Sequence, residues 1–159
     1  MYNITFKEIN KDDEGRLIDT FGTWVSDEIS YTEGCYSLMA MNEDTVAGFI
    51  SIYPRYYPEP LKEYCEAFIS AIEVEERFRR HGIARKMLEL VEDWASAYGY
   101  HQLGSWSSDD KTEAIPMWYA LNYCVCPAWM RGYSRKKGFE NMPINGFYVA
   151  KMLNPFKKQ

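Results

Sequence analysis

The residues best suited to chemistry lie between Ile72 and Leu88, in the run I-E-V-E-E-R-F-R-R-H-G-I-A-R-K-M-L. Within it, Arg79-Arg80-His81-Gly82-Ile83-Ala84 links a β-branched stretch at 68–74 to a long amphipathic stretch that reads as a helix. The first amides of a helix have no partner within it, and its N-terminus carries partial positive charge. Gly82 and Ala84 remove side-chain bulk there, so an anion as large as a diphosphate has access to those amides. Arg79, Arg80, His81 and Arg85 add charge-assisted contacts to the same anion. The absence of G-K-[ST] excludes a Walker loop, and a single glycine excludes a dinucleotide fingerprint. The plainer alternative is a strand-turn-helix with a solvated basic corner. Two further groups stand out. Cys124-Val-Cys126 lacks a second cysteine pair or a histidine pair, so buried, reduced strand cysteines are expected and no metal site. Tyr53-Pro54-Arg55-Tyr56-Tyr57-Pro58 reads as a loop because of its prolines, and a loop has few ways to bury three tyrosines.

The elements that must position these residues follow from periodicity. Alternation marks strands near 4–9, 34–41, 45–53, 66–74, 101–106, 123–130 and 146–153. Asp12 or Asp13 is expected to cap a helix running to about 25, with Leu17, Ile18, Phe21 and Trp24 on one face. A second helix over 82–98 places Ile83, Met87, Leu88, Val91 and Trp94 on one face and ends at Gly99. A third covers 111–122, with Pro116 in its first turn or bending it.

Composition narrows the class. The 159 residues are 47% hydrophobic and 26% charged, which fits one soluble globular domain spanning 1–159. No apolar run is long enough to span a bilayer, and the N-terminus shows no signal-peptide core, so a cytoplasmic protein without a membrane partner is expected. A net charge of -5 argues against non-specific nucleic-acid binding. The anion site would be a local basic exception on an acidic surface.

R-x-x-G-x-A entered from a strand ending I-x-V resembles the acetyl-CoA signature of the GNAT-type N-acetyltransferases, with Arg79, Gly82 and Ala84 in its defined positions. The resemblance implies an α/β (α+β) GNAT fold: a mixed, mostly antiparallel central sheet of six to seven strands, its fourth and fifth strands splayed, flanked by helices. It implies that Ile72 and Val74 offer backbone groups to the pantetheine arm of acetyl-CoA, and that the 80–85 turn, Ile83 included, holds the diphosphate. A neutral primary amine, of a small molecule or a peptide, would then attack the thioester directly, with no metal.

The chain departs from that family pattern where protons must move. Ser70 stands where relatives place a glutamate, and it could hold a water. Glu73, Glu66 or a water relay is left as base. In the family motif A-x-x-x-Y-x-x-x-G-F, Ala114 is present, but Trp118 replaces the tyrosine and Asn122-Tyr123 replaces Gly-Phe. Tyr119 lies one residue on, about 100° around a helix, and becomes the proton donor if the helix is shifted; otherwise Tyr119 packs in the core and Trp118 walls the CoA channel. Tyr133, in Y-S-R-K-K-G-F-E, is the alternative donor if 107–130 is an insertion. Lys111 falls near the start of this helix and could meet a CoA phosphate. Tyr53, Tyr56 and Tyr57, with Ser70, are the candidate acceptor residues, the tyrosines holding an ammonium by cation–π contact. Two competing readings are a GNAT-fold module that senses CoA without turnover, and an interaction role with a homodimer surface over 124–133.

Overall fold

The computed structural model describes residues 2–130 and 144–154. Seven strands form one sheet in the order β1-β2-β3-β4-β5-β7-β6. In chain order these are β1 (Ile4–Glu8), β2 (Tyr36–Asn42), β3 (Thr45–Tyr56), β4 (Cys65–Val74), β5 (Gln102–Ser108), β6 (Cys124–Met130) and β7 (Ile144–Met152). The helices are α1 (Glu14–Phe21), α2 (Ile83–Tyr98) and α3 (Ile115–Ala120). Every neighbouring pair is antiparallel except β4 and β5, which are parallel.

Alternation along the strands gives the sheet two apolar faces. Leu38, Ile50, Ile52, Ala67, Ile69 and Leu103 pack under α2, against Ile83, Met87, Leu88 and Val91, with Trp118 of α3 in the same core. Met39, Val46 and Phe49 face the other way, onto Leu17 of α1 and Val25. Among the described residues no helix is long and apolar enough to cross a membrane.

Three expectations are corrected. The first helix stops at Gly22, whose φ of +99° and ψ of 169° leave the helical region. Residues Thr23–Asp27 form a separate 3-10 turn, and the Trp24 indole N–H turns back to donate to the Phe21 carbonyl at 2.6 Å. Its N-terminal side is organised by Asn10, not by a free aspartate cap: Asn10 accepts from the Asp12 amide while Asp13 accepts from the Asn10 amide. Residues 53–56 belong to β3 rather than to a loop. Beyond Ile52, β2 no longer flanks β3, so Pro54 sits on an edge segment, where a missing N–H is tolerated.

Candidate functional site

β4 and β5 pair only over Glu66–Ile69 with Gln102–Ser105, although β4 continues to Val74 and β5 to Ser108. The two strands therefore part beyond Ile69 and Ser105. A β-bulge sits at the same place: Ser51 pairs with Ala71 and Ile52 with Ile69, which leaves Ser70 as the extra residue. The bulge changes which way side chains point. Ile72 and Val74 pack with the α2-side core, while Ala71 packs with the α1-side cluster. Strict alternation would put Glu66 and Glu73 on opposite faces; the bulge puts both on the α1 side.

At the end of β4 the chain turns into α2 through two left-handed residues, Arg80 (φ +66°) and Gly82 (φ +78°). Gly82 is the N-cap, no side chain caps the helix, and Lys86 N–H to Gly82 C=O is its first bond. The amides of Ile83, Ala84 and Arg85 thus precede the first helical hydrogen bond and face outward from the turn. A Cβ at Gly82 would meet nothing within 4 Å, so glycine answers the backbone angle and the space beyond it is open. Arg79 is tied back: its Nε donates to the Val74 carbonyl and its Nη2 to Glu73 Oε1, both at 3.0 Å. Val74's carbonyl is therefore already engaged. His81 Nδ1 lies 2.8 Å from the Arg79 carbonyl. Arg80, His81 and Arg85 are exposed around the turn.

The remaining candidates take different places. Ser70 Oγ donates to the Glu28 carbonyl at 2.8 Å, a carbonyl that Ser51 Oγ also reaches at 2.9 Å. Its hydroxyl thus anchors the segment after α1 onto the bulge. Trp118 is buried in the α2-side core against Tyr123, with ring centroids 5.0 Å apart, and its indole N–H has no partner among the described residues. Tyr119, one residue round the helix, is 60% exposed. Asn122 adopts φ +63°, the left-handed angle that suits asparagine at the position of the motif's glycine. Lys111 is exposed and opens the 3-10 turn before α3. Tyr133 lies outside the described residues, as does the 131–133 end of the expected dimer surface.

The tyrosines at 53–57 do not form one group. Tyr53 packs on Phe68 at 5.6 Å, Tyr56 is exposed on the α2 side, and the Tyr57 hydroxyl donates to Glu66 Oε2 at 3.0 Å. Glu66 is the centre of a cluster that the sequence did not reveal as one. Its fully buried carboxylate pairs with Arg55 and also accepts from Gln102 Nε2 at 2.6 Å and from the Tyr148 hydroxyl at 2.5 Å. Arg55 lies over the Phe68 ring at 4.4 Å. A Cβ on Gly104 would stand 2.5 Å from Glu66 Oε2, so only glycine leaves room for the carboxylate. Burial first, and then the Glu66 charge, hold the Tyr57 and Tyr148 phenols above their ordinary range, so both stay protonated donors. Arg55, Tyr57, Gln102, Cys126, Ala128 and Tyr148 line a cavity of about 370 Å³ on this face, next to the parting strands. Arg55, Gln102, Gly104 and Tyr148 carry no local signal in the sequence. They meet only because β3, β4, β5 and β7 are adjacent.

The arrangement suits a thioester donor lying between parted strands with its anionic end on an uncapped helix. The model of the acetyltransferase (GNAT) family matches residues 3–123. The ribosomal-protein-S18-alanine N-acetyltransferase of Escherichia coli superposes with a TM-score of 0.69 at 15% identity, over 98% of this chain and 97% of that one. Arabidopsis thaliana NAA60, in complex with a bisubstrate analogue, gives 0.70 at 17% identity over 96% and 99%. An aminoglycoside 6'-N-acetyltransferase complexed with coenzyme A gives 0.67 at 14% over 97% and 99%. At these identities the superpositions speak for the fold, and the family match covers most of the chain: this protein belongs to the GNAT acetyltransferase family and is an acyltransferase.

Proposed function

We propose that the protein transfers the acetyl group of acetyl-CoA directly to a primary amine of a small molecule or a peptide. The observation that carries this reading is the parting of β4 from β5 in front of the uncapped N-terminus of α2. One feature suits the CoA moiety: the outward amides of Ile83–Arg85 with Arg80, His81 and Arg85 around them. Acetyl-CoA brings an acetyl group already activated as a thioester. The chain's residues then bind and orient. The helix end holds the diphosphate, and the edge of β4 at Ile72 lies along the pantetheine arm. Lys111, exposed after the end of β5, lies at the same end of the fold. The amine approaches from the α1 side, past the Arg55–Tyr148 cavity.

The amine nitrogen forms the new N–C bond as the C–S bond breaks. Glu73, placed by the bulge on the acceptor side, takes the ammonium proton through water, and the exposed Tyr119 returns a proton to the thiolate. Related structures with CoA or bisubstrate analogues support the donor. The second reading, a CoA-binding module without turnover, is favoured by one specific contact: Ser70 occupies the usual glutamate position and its hydroxyl is committed to Glu28.

Thiol release from acetyl-CoA against polyamines, aminoglycosides, amino acids and N-terminal peptides tests the proposal. Release with one acceptor class establishes the enzyme and names its substrate. A thermal shift with CoA but no release across the panel favours the non-catalytic module, and neither response overturns the CoA assignment. Gly82→Asp keeps a residue type that tolerates the left-handed angle but sets a carboxylate at the anion site. Acetyl-CoA affinity should fall at least about tenfold; unchanged affinity removes the diphosphate from this turn.

A further inference from the structure

The far end of α2 is chemically the reverse of its N-terminus. α2 has 16 residues, so its two ends lie about 24 Å apart. It closes at Gly99 in the left-handed region, where the helix presents its negative end. Trp94 and Tyr98, one turn apart on α2, stack with rings from β2 and from the start of the next strand. Tyr36 and Trp94 have centroids 4.6 Å apart, Trp94 and Tyr98 5.0 Å, and Tyr98 and Tyr100 5.1 Å, with interplanar angles of 7°, 17° and 20°. The stack is not sealed into the core: Tyr98 is 49% exposed, and Tyr56 on the facing wall is 68% exposed.

Tyr56, Tyr98 and Tyr100, with Cys65, Gly34 and Glu33, enclose a cavity of about 340 Å³. No lysine, arginine or histidine lines it. Glu33 is exposed and makes no ion pair with any described residue. Tyr100 is fixed by a 2.6 Å hydrogen bond from its hydroxyl to the Gly34 carbonyl, so its ring cannot swing away. Burial, and after it the Glu33 charge, keep the Tyr98 phenol protonated above its ordinary range. Aromatic faces, a carboxylate and a helix C-terminus all attract positive charge. We propose that this cavity binds an organic cation, an alkylammonium or guanidinium group, held between Tyr98, Tyr100 and Tyr56 and attracted by Glu33. The cation is carried either by a free small molecule or by a side chain of a partner protein. The site is on the α2 side of the sheet, away from the parted strands, and the assignment does not depend on acetyl transfer.

Calorimetric titration of the full chain tests it, with choline as probe and 3,3-dimethylbutanol as its uncharged isostere. Choline should bind saturably at millimolar concentration, and the isostere about tenfold more weakly or worse. Amide chemical shifts should move at Gly34, Tyr98 and Gly99. Tyr98→Ala should weaken choline about tenfold and Glu33→Gln by a few fold, with circular dichroism showing the fold intact. A short peptide with one central trimethyllysine separates the sources: tighter binding than choline identifies a protein side chain, and weaker binding a free cation. Equal binding of choline and its isostere overturns the proposal. So does the absence of saturable choline binding, or indifference to both substitutions.

Discussion

Two glutamates on one strand, both on the α1 side, live in opposite circumstances. Glu66 is fully buried, paired with Arg55 and hydrogen-bonded by Tyr57, Gln102 and Tyr148. Glu73, past the bulge, is 35% exposed and meets Arg79 at 3.0 Å. A buried carboxylate held by an ion pair and three hydrogen bonds fixes its neighbours in place. A partly exposed one with a single surface partner stays in contact with water. The difference assigns the first to architecture and leaves the second accessible for the base role proposed above, although both are glutamates in the same β-branched run.

The sharpest way to break this comparison is Glu66→Gln, which leaves Arg55 charged and buried without its counter-ion. Stability should fall by about 3–5 kcal/mol in urea unfolding, and adding Arg55→Met should restore part of it. A loss below 1 kcal/mol would show that the cluster is not a structural keystone. Gly104→Ala reaches the same carboxylate from below. The added methyl must displace Glu66 or β5, so a loss of about 1–3 kcal/mol is expected, and a neutral effect would mean that the carboxylate has room to move.

The alkaline limb tests the phenols around Glu66. Their folded values are raised, so between the ordinary tyrosine value and the folded one the unfolded chain has released a proton that the folded chain retains. Stability should be level from neutral pH to about pH 9, where the Cys65 contribution begins to fall, and decline more steeply above about pH 10. Cys65, pushed up to about 11 by burial from an ordinary 9.0, adds to the same decline. Tyr148→Phe should flatten the slope; a slope equal to that of the unmodified protein would exclude Tyr148 as a source. The smallest stability effect belongs to Glu73→Gln, within about 1 kcal/mol because its ion pair is exposed. Its turnover, by contrast, should drop on the order of 100-fold, and unchanged turnover would transfer the base role to water.

Much of this was readable from residues that act locally. Arg79, Gly82 and Ala84 mark the turn, and Gly99 marks the end of α2, because left-handed angles and helix ends have short-range signatures. The Asn122-Tyr123 pair kept the register of its motif because asparagine accepts the glycine's angle. The misses share a different cause. Pro54 reads as a loop residue until β2 is known to end opposite Ile52. The Glu66 cluster draws on residues as far apart as Arg55 and Tyr148, which no window along the chain contains. Ser70's bulge is invisible to an alternation count, since its neighbours are all compatible with a regular strand.

That bulge fixes the parity of everything after it. A chain one residue shorter at 70 would pair with β3 as a regular strand, and Ala71, Ile72, Glu73 and Val74 would keep the faces they have now. A chain of the present length without the bulge would instead carry the Glu73 carboxylate under α2 and Ile72 and Val74 to the α1 side. The extra residue and the bulge thus offset each other: β4 gains one residue at Ser70 while the register with β3 is kept on both sides of it.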